Sequence, residues 1–66
     1  MKLREFLDNL KRKNTKITLC MNDEGSKEYN GTVGTLIHWV HLPEYLDYFV
    51  DNIYTDEGHF IVFLEM

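Results

Sequence analysis

Three histidines and one glutamate are the side chains of this 66-residue chain that are best suited to metal chemistry. His38, His41 and Glu44 follow one another at intervals of three, which on a helix would bring them close together. Zinc needs three or four ligands in a tetrahedral array, and the remaining histidine, His59, is distant in the sequence. We interpret His38 and His41 as partly exposed residues that flank a buried Trp39. We predict no bound metal and no cofactor.

The single cysteine, Cys20, is the one candidate for a reactive nucleophile. No histidine lies near it in sequence to activate the thiol, so we expect a structural or surface thiol. The sequence also has no phosphate-binding loop and nothing that selects a catalytic pair of carboxylates, so we predict no catalytic residue and no enzymatic activity. One cysteine cannot form an internal disulfide, and an unpaired thiol is typical of a reducing compartment. Residues 1–13 lack the apolar run of a signal peptide, and Phe60–Leu64 is too short to span a bilayer. We therefore predict a cytoplasmic location and no membrane contact.

Charge is distributed unevenly along the chain, whose net charge is −4. All seven Lys and Arg residues lie within residues 1–27, whereas residues 28–66 carry seven acidic residues and no Lys or Arg. Nucleic-acid sites are basic, so direct nucleic-acid binding by the acidic segment is disfavoured. An acidic surface can instead steer a protein onto a basic surface of another protein, including a nucleic-acid-binding cleft.

Aromatic residues alternate with acidic residues between positions 39 and 57, and Trp and Tyr are enriched at protein interfaces. We therefore predict a partner-binding surface that consists of Trp39, Glu44, Tyr45, Asp47, Tyr48, Asp51, Tyr54, Asp56 and Glu57. Core packing is the competing interpretation for the aromatic residues. A basic cluster, Lys11–Lys13 with Lys16, could contact nucleic acid, but it also suits the C-terminal end of a helix.

Hydrophobic periodicity predicts the elements that must position these residues. Apolar residues at helical spacing over residues 3–10 predict a helix that reaches Lys13 and stops at Asn14. Turn residues at Asn22–Gly25 and Asp56–Gly58 separate runs of alternating hydrophobicity. These runs predict strands over Lys16–Met21, Glu28–Val33, Val50–Thr55 and His59–Glu65.

The segment between the two predicted hairpins carries helix signals. Thr35 is a candidate cap for a helix over Leu36–His41. Pro43 suits the first helical position of a second segment, in which Glu44–Phe49 would form one or two turns. Gly31 within its strand predicts a bulge or a close backbone contact. The chain is thus predicted to form a single α+β domain over residues 1–66. An N-terminal helix packs on a small four-stranded antiparallel sheet, with a short helical segment between the hairpins.

The last predicted strand is apolar on both faces, which is typical of a central strand or of an interface. A chain of this size buries only about 60% of the surface that its unfolded form exposes, so association with a second copy would add stability. We predict a homodimer whose self-association involves Phe60, Ile61 and Phe63.

Four stretches of the chain, MKLREFLDNL, KITL, EYNGTVGTL and EYLDYFVDNIY, resemble a group of very small, mostly uncharacterised proteins. These are encoded by phages, prophages and other mobile elements of Gram-positive bacteria. The resemblance covers most of the chain and carries over no catalytic residue. It implies a phage or mobile-element origin. Small acidic proteins of that origin include inhibitors of CRISPR and other defence systems, some of which mimic DNA.

These observations lead to one main hypothesis and three alternatives. The main hypothesis is a non-enzymatic phage or mobile-element protein that binds through its acidic and aromatic surface. Its target would be a host defence nuclease or another nucleic-acid-binding protein with a basic surface. The alternatives are a self-associating structural module whose last strand pairs with another copy, a small Sm-like or SH3-like RNA-binding barrel, and a metal-binding regulator.

Overall fold

The computed structural model describes residues 1–21 and 26–66, and these residues form an α+β fold with three short helices and a four-stranded mixed sheet. The predicted turn at Asn22–Gly25 lies outside the described residues. The elements are α1 (Leu3–Asp8), β1 (Lys16–Met21), β2 (Lys27–Thr32), α2 (Val33–Leu36), α3 (Leu42–Tyr45), β3 (Phe49–Asp56) and β4 (His59–Glu65).

The strand order of the sheet is β2-β1-β4-β3. Each hairpin is antiparallel as predicted, but β1 and β4 pair in parallel, so the prediction of a wholly antiparallel sheet was wrong. The reason lies in the connection between the hairpins. Since β2 and β3 run in the same direction at opposite edges, the chain must return along the sheet between them. Residues 33–48, with α2 and α3, are long enough to form that crossover.

The sheet is open rather than closed. Within the described residues, β2 and β3 are the edge strands of the sheet and do not pair with each other. The outer side of β3 carries an isolated β-bridge between Phe49 and Lys2, and the Val50 amide donates to the Met1 carbonyl at 2.8 Å. The fold is therefore not the closed Sm-like or SH3-like barrel that the RNA-binding alternative required. β4 lies between β1 and β3, which confirms the expectation of a central strand.

The first helix ends earlier than its hydrophobic periodicity predicted. The Lys2 amide donates to Glu5 Oε1 at 2.9 Å at its start. At its end Asn9 is the C-cap, and Asn9 Nδ2 donates to the Glu5 carbonyl at 3.0 Å. Because this side chain satisfies one of the last helical carbonyls, α1 stops at Asp8 although Leu10 would continue the apolar stripe.

The crossover helices also differ in their bounds from the prediction. Thr32, not Thr35, caps α2, and Thr32 Oγ1 accepts from the Thr35 amide at 3.3 Å. Pro43 lies in the first turn of α3, but it is the second residue rather than the predicted first, because the helix begins at Leu42, and the helix ends at Tyr45. None of the described helices is long and apolar enough to cross a membrane.

The core lies between the helices and one face of the sheet, which we call the covered face. Ile17, Leu19, Val62 and Leu64 are its fully buried strand residues. The complete buried cluster consists of Leu3, Phe6, Ile17, Leu19, Met21, Val33, Leu36, Leu42, Val62 and Leu64. Burying apolar side chains is the main favourable term in folding, so this face determines stability.

Two local features shape the strands around this core. Glu57 and Gly58 have φ angles of 49° and 80°, which gives the two-residue loop of a tight hairpin and confirms the predicted turn. A Cβ atom on Gly31 would lie 2.6 Å from Tyr29 Oη. The crowding at Gly31 therefore comes from side chains rather than from the predicted approach of another backbone segment, and the bulge in the pairing with β1 falls at Leu19/Cys20 instead of at Gly31.

Candidate functional site

The opposite face of the sheet carries none of the described helices, and we call it the open face. Alternation along the strands and the pairing registers determine its members. They are Lys16, Thr18 and Cys20 on β1, Asn30 and Thr32 on β2, Phe49, Asn52, Tyr54 and Asp56 on β3, and His59, Ile61, Phe63 and Glu65 on β4. Phe49 is 52% exposed and Tyr54 54% exposed, which is unusual for large apolar side chains of a strand.

Three aromatic side chains and one aliphatic side chain of this face lie on β3 and β4, and we call them together the aromatic patch. They are Phe49, Tyr54, Phe63 and Ile61. The ring of Tyr54 meets that of Phe63 edge to face, with centroids 5.6 Å apart. Asn52 Nδ2 donates to Tyr54 Oη at 3.1 Å. Tyr54 is thus fixed by a ring contact and a hydrogen bond, although half of its surface faces water.

Four carboxylates surround the aromatic patch. Asp51 lies at the bulge in β3, Asp56 ends that strand, Glu57 is in the hairpin turn and Glu65 pairs with Phe49. All four are exposed, and among residues 1–21 and 26–66 no cationic side chain lies within ion-pair distance of them. Their negative charge is therefore not neutralised by a neighbouring cation.

The β1–β2 side of the open face is polar. Thr18 is only 4% exposed, and its Oγ1 donates to Asn30 Oδ1 at 2.9 Å and lies 2.7 Å from His59 Nε2. A depression of about 360 Å³ beside these residues is lined by Lys16, Asn30, Gly31, Thr32 and His59. We call this depression the polar pocket.

Comparison with known proteins adds no assignment. No protein-family model matches the chain, and no curated protein and no solved structure matches it. The site is therefore argued from its geometry.

The structure does not gather the nine predicted partner-binding residues on one surface. Tyr54 and Asp56 lie on the open face, with Asp51 and Glu57 beside it in the bulge and the turn. Asp47 instead pairs with Arg4, whose Nη2 lies 2.9 Å from Asp47 Oδ1, and Lys2 Nζ is 4.0 Å from the same oxygen. Asp47 therefore joins the acidic and basic parts of the chain.

The predicted aromatic residues of the crossover pack against the core. Trp39 stacks on Tyr45 with ring centroids 5.4 Å apart and also contacts Tyr29 and His41. Tyr45 in turn meets Tyr48 edge to face at 5.1 Å. All of these except His41 are partly buried against the hydrophobic cluster. Glu44 lies on α3, with its Oε1 3.4 Å from His41 Nδ1.

The three residues predicted for self-association lie on different faces of β4. Phe60 faces the core, where its ring meets Phe6 edge to face at 5.7 Å, whereas Ile61 and Phe63 lie on the open face. Both hydrogen-bonding edges of β4 are occupied, by β1 and β3. Pairing of the last strand with a second copy, as the structural-module alternative required, is therefore prevented by its own neighbours.

Cys20 and the possible metal ligands are the remaining candidates for chemistry. Cys20 is 4% exposed, and burial raises the pKa of its thiol above the ordinary 9.0, with a smaller lowering effect from Lys27 and a smaller raising effect from Glu28. Burial and a raised pKa both oppose nucleophilic reactivity. Across the described parts of the chain, no three or more His, Cys, Asp or Glu residues are grouped to hold a metal ion.

Sequence reasoning missed the polar pocket and the exposure of Phe49. The pocket residues come from the β1–β2 hairpin and from β4, which is separated from that hairpin by the crossover and β3, so no local motif could reveal them. The one available signal was Thr18, a polar residue in the middle of an otherwise apolar strand.

Proposed function

We propose that this chain is a non-enzymatic protein-binding module of phage or mobile-element origin, which acts in the cytoplasm of the host cell. It binds a protein with a basic surface, such as a defence nuclease or another nucleic-acid-binding protein, and blocks that surface. The observation that supports this proposal is the aromatic patch, half exposed and surrounded by carboxylates that lack neighbouring cations.

The exposed apolar side chains and the carboxylates of this surface would contribute to binding in different ways. Burying exposed aromatic and aliphatic side chains provides most of the affinity at an interface, at roughly 25 cal/mol per Å². Phe49 and Tyr54 offer the largest exposed apolar surface on this face. Carboxylates at the rim would take the place of phosphate oxygens opposite Lys and Arg of the partner, and they speed the encounter more than they tighten the complex.

The binding surface proposed here is narrower than the acidic and aromatic segment of the sequence. It keeps four of the predicted residues and adds the other members of the aromatic patch. The four are Asp51, Tyr54, Asp56 and Glu57, and the additions are Phe49, Ile61 and Phe63. Trp39, Tyr45 and Tyr48 support the crossover from the core side instead. Asp47 is excluded because Arg4 already neutralises it.

The test compares two charge-reversal variants that change the net charge by the same amount. Asp51→Lys/Asp56→Lys alters the rim of the aromatic patch, and Asp8→Lys/Glu44→Lys alters exposed acids on α1 and α3. Each variant and the wild type are immobilised and exposed to a nuclease-treated lysate of a Gram-positive bacterium. Retained proteins are identified by mass spectrometry, and the candidate partner is then purified.

Support requires more than capture. The purified partner must be a basic nucleic-acid-processing protein that forms a stoichiometric complex with the wild type and with Asp8→Lys/Glu44→Lys. Asp51→Lys/Asp56→Lys must weaken that complex by at least about tenfold, and added salt must weaken the wild-type complex. Equal binding by both variants, or equal loss in both, would show that this surface is not the binding site.

A second copy of the chain is the competing occupant of the same face. Light scattering at about 10 µM, a concentration at which a stable dimer with Kd below micromolar would form, separates the two cases. A dimer that becomes monomeric when Phe49 and Tyr54 are replaced by Ser would assign the patch to self-association and overturn the partner proposal. A monomer leaves the patch available for the partner.

A further inference from the structure

A buried hydroxyl organises the polar pocket. Thr18 has one hydroxyl hydrogen, which it donates to Asn30 Oδ1. Towards His59 Nε2, 2.7 Å away, the same oxygen must then act as acceptor. His59 therefore carries its hydrogen on Nε2 in this arrangement, and one fully shielded side chain fixes both polar groups at the edge of the pocket.

The hydrogen bond to Thr18 determines which end of Asn30 remains available. With Oδ1 occupied, the amide presents its Nδ2 hydrogens. Asn30 is an exposed residue, so these hydrogens are accessible from solvent. An exposed amide donor beside a lysine is a pair of groups that suits an anionic oxygen.

The charged residues near the pocket lie on different strands. Lys16 is the charged residue that lines it, and no carboxylate is among its lining residues. Asp56 is the register partner of His59, but it lies on β3, and β4 separates it from Lys16 on β1.

We propose that the polar pocket binds the anionic oxygen group of a small molecule, a phosphate monoester or a carboxylate, through Lys16 and Asn30. Its volume of about 360 Å³ is within the range of small-molecule sites, which is roughly 300–1,000 Å³. Thr18 is a positioning residue, since it orients Asn30 and His59 without facing the ligand. This inference is independent of the proposed protein partner, because the groups that would bind the anion, Lys16 on β1 and Asn30 on β2, do not belong to the aromatic patch.

The experiment titrates ¹⁵N-labelled protein with inorganic phosphate, and separately with acetate, at constant ionic strength maintained with chloride. The expected result is a saturable shift of the Asn30 side-chain NH₂ signal and of the Gly31 and His59 backbone amides. Saturation by phosphate alone assigns a phosphate site, and saturation by acetate alone assigns a carboxylate site. No saturable shift with either anion up to 50 mM overturns the proposal.

Matched variants separate a specific site from general attraction. Lys16→Met should weaken binding by about tenfold, the usual effect of removing one charge-assisted hydrogen bond. Lys27→Met removes the same charge at the other end of the hairpin, opposite Cys20, and should leave the affinity unchanged. Equal weakening by the two lysine variants would mean that the anion responds only to the overall positive charge of the protein. That result would overturn the proposed site.

The positioning role of Thr18 has its own test. Thr18→Val removes the hydroxyl and should release the Asn30 amide, which weakens anion binding and broadens its side-chain signal. Thr18→Ser keeps the hydroxyl and should restore both properties. Backbone amide signals of Thr18→Val that match those of the wild type away from the pocket would exclude a folding defect as the cause of the loss. Binding by Thr18→Val equal to that of the wild type would exclude this role.

Discussion

The two faces of the sheet are built from the same four strands but differ in what their residues contact. On the covered face Leu19, Val62 and Leu64 are completely buried under the helices. On the open face Phe49 and Tyr54 keep about half of their surface in water. Successive side chains of a strand point to opposite faces, so a single strand contributes to both. In β4, Val62 and Leu64 belong to the core, and Ile61 and Phe63 belong to the open face.

This difference separates stability from recognition within a very small protein. Substitutions on the covered face should change the free energy of unfolding strongly. Substitutions on the open face should change binding while the fold persists. Four predictions test that separation, beginning with the largest expected effect.

The first concerns the centre of the covered face. Leu19→Ala should lower the free energy of unfolding by about 2–5 kcal/mol, because it leaves a cavity under the helices. The total free energy of unfolding of a domain of this size is only roughly 3–10 kcal/mol, so a large fraction of the variant should be unfolded. Urea denaturation followed by Trp39 fluorescence measures the loss. A loss below about 1 kcal/mol would contradict the assigned core.

The second concerns the close contact at Gly31. Gly31→Ala should cost about 1–3 kcal/mol, since the new methyl group would lie 2.6 Å from Tyr29 Oη and displace a ring whose hydroxyl donates to the Thr32 carbonyl. In a Tyr29→Phe background the clashing oxygen is absent, so the same substitution should cost less. A double-mutant cycle measures the coupling, and purely additive effects would contradict this origin of the strain.

The third concerns the centre of the open face. Although Cys20 lies on that face, neighbouring side chains cover it and burial raises the pKa of its thiol. Alkylation by iodoacetamide at pH 8 should be at least about tenfold slower in the native protein than in urea. The native rate should increase as the pH rises through the raised pKa, because the thiolate is the reactive form. Equal rates in both states would mean that the open face does not shield this thiol.

The fourth concerns the margin of the open face. Tyr54→Ser should lower the free energy of unfolding by no more than about 1 kcal/mol, the loss of one ring contact with Phe63 and of limited burial. The same denaturation experiment as for Leu19→Ala provides the comparison. Losses of similar size in the two variants would remove the distinction between the faces.

The strands were the most predictable elements of this chain. The bounds predicted for β1 and β4 agree with the structure, because alternation or continuous apolar character fixes a strand locally. The end of α1 was not predictable from periodicity, since the Asn9 side chain terminates the helix within a continuing apolar stripe. Parallel pairing of β1 with β4 could not be deduced either, because it depends on the path of the crossover rather than on either strand.

The candidate site was predictable only in part. Acidic and aromatic character between residues 39 and 57 was visible in the sequence, but not which aromatic residues would be buried. Tyr54 lies in a strand with one uncovered face, whereas Trp39 and Tyr45 lie in the crossover and pack against the core. The polar pocket depends on registers among three strands, and these registers follow from tertiary structure.

Parallel pairing of residues 17–21 with 60–64 also affects how the protein is made. On the ribosome each hairpin can form from neighbouring residues, but the central pairing must wait until β4 has left the exit tunnel. Distant pairings of this kind slow folding, because a long loop has to close before the stabilising contacts can form. The most apolar strand, β4, is also synthesised after β1 and β3. Its side chains therefore spend little time exposed before the strand pairs with these two neighbours.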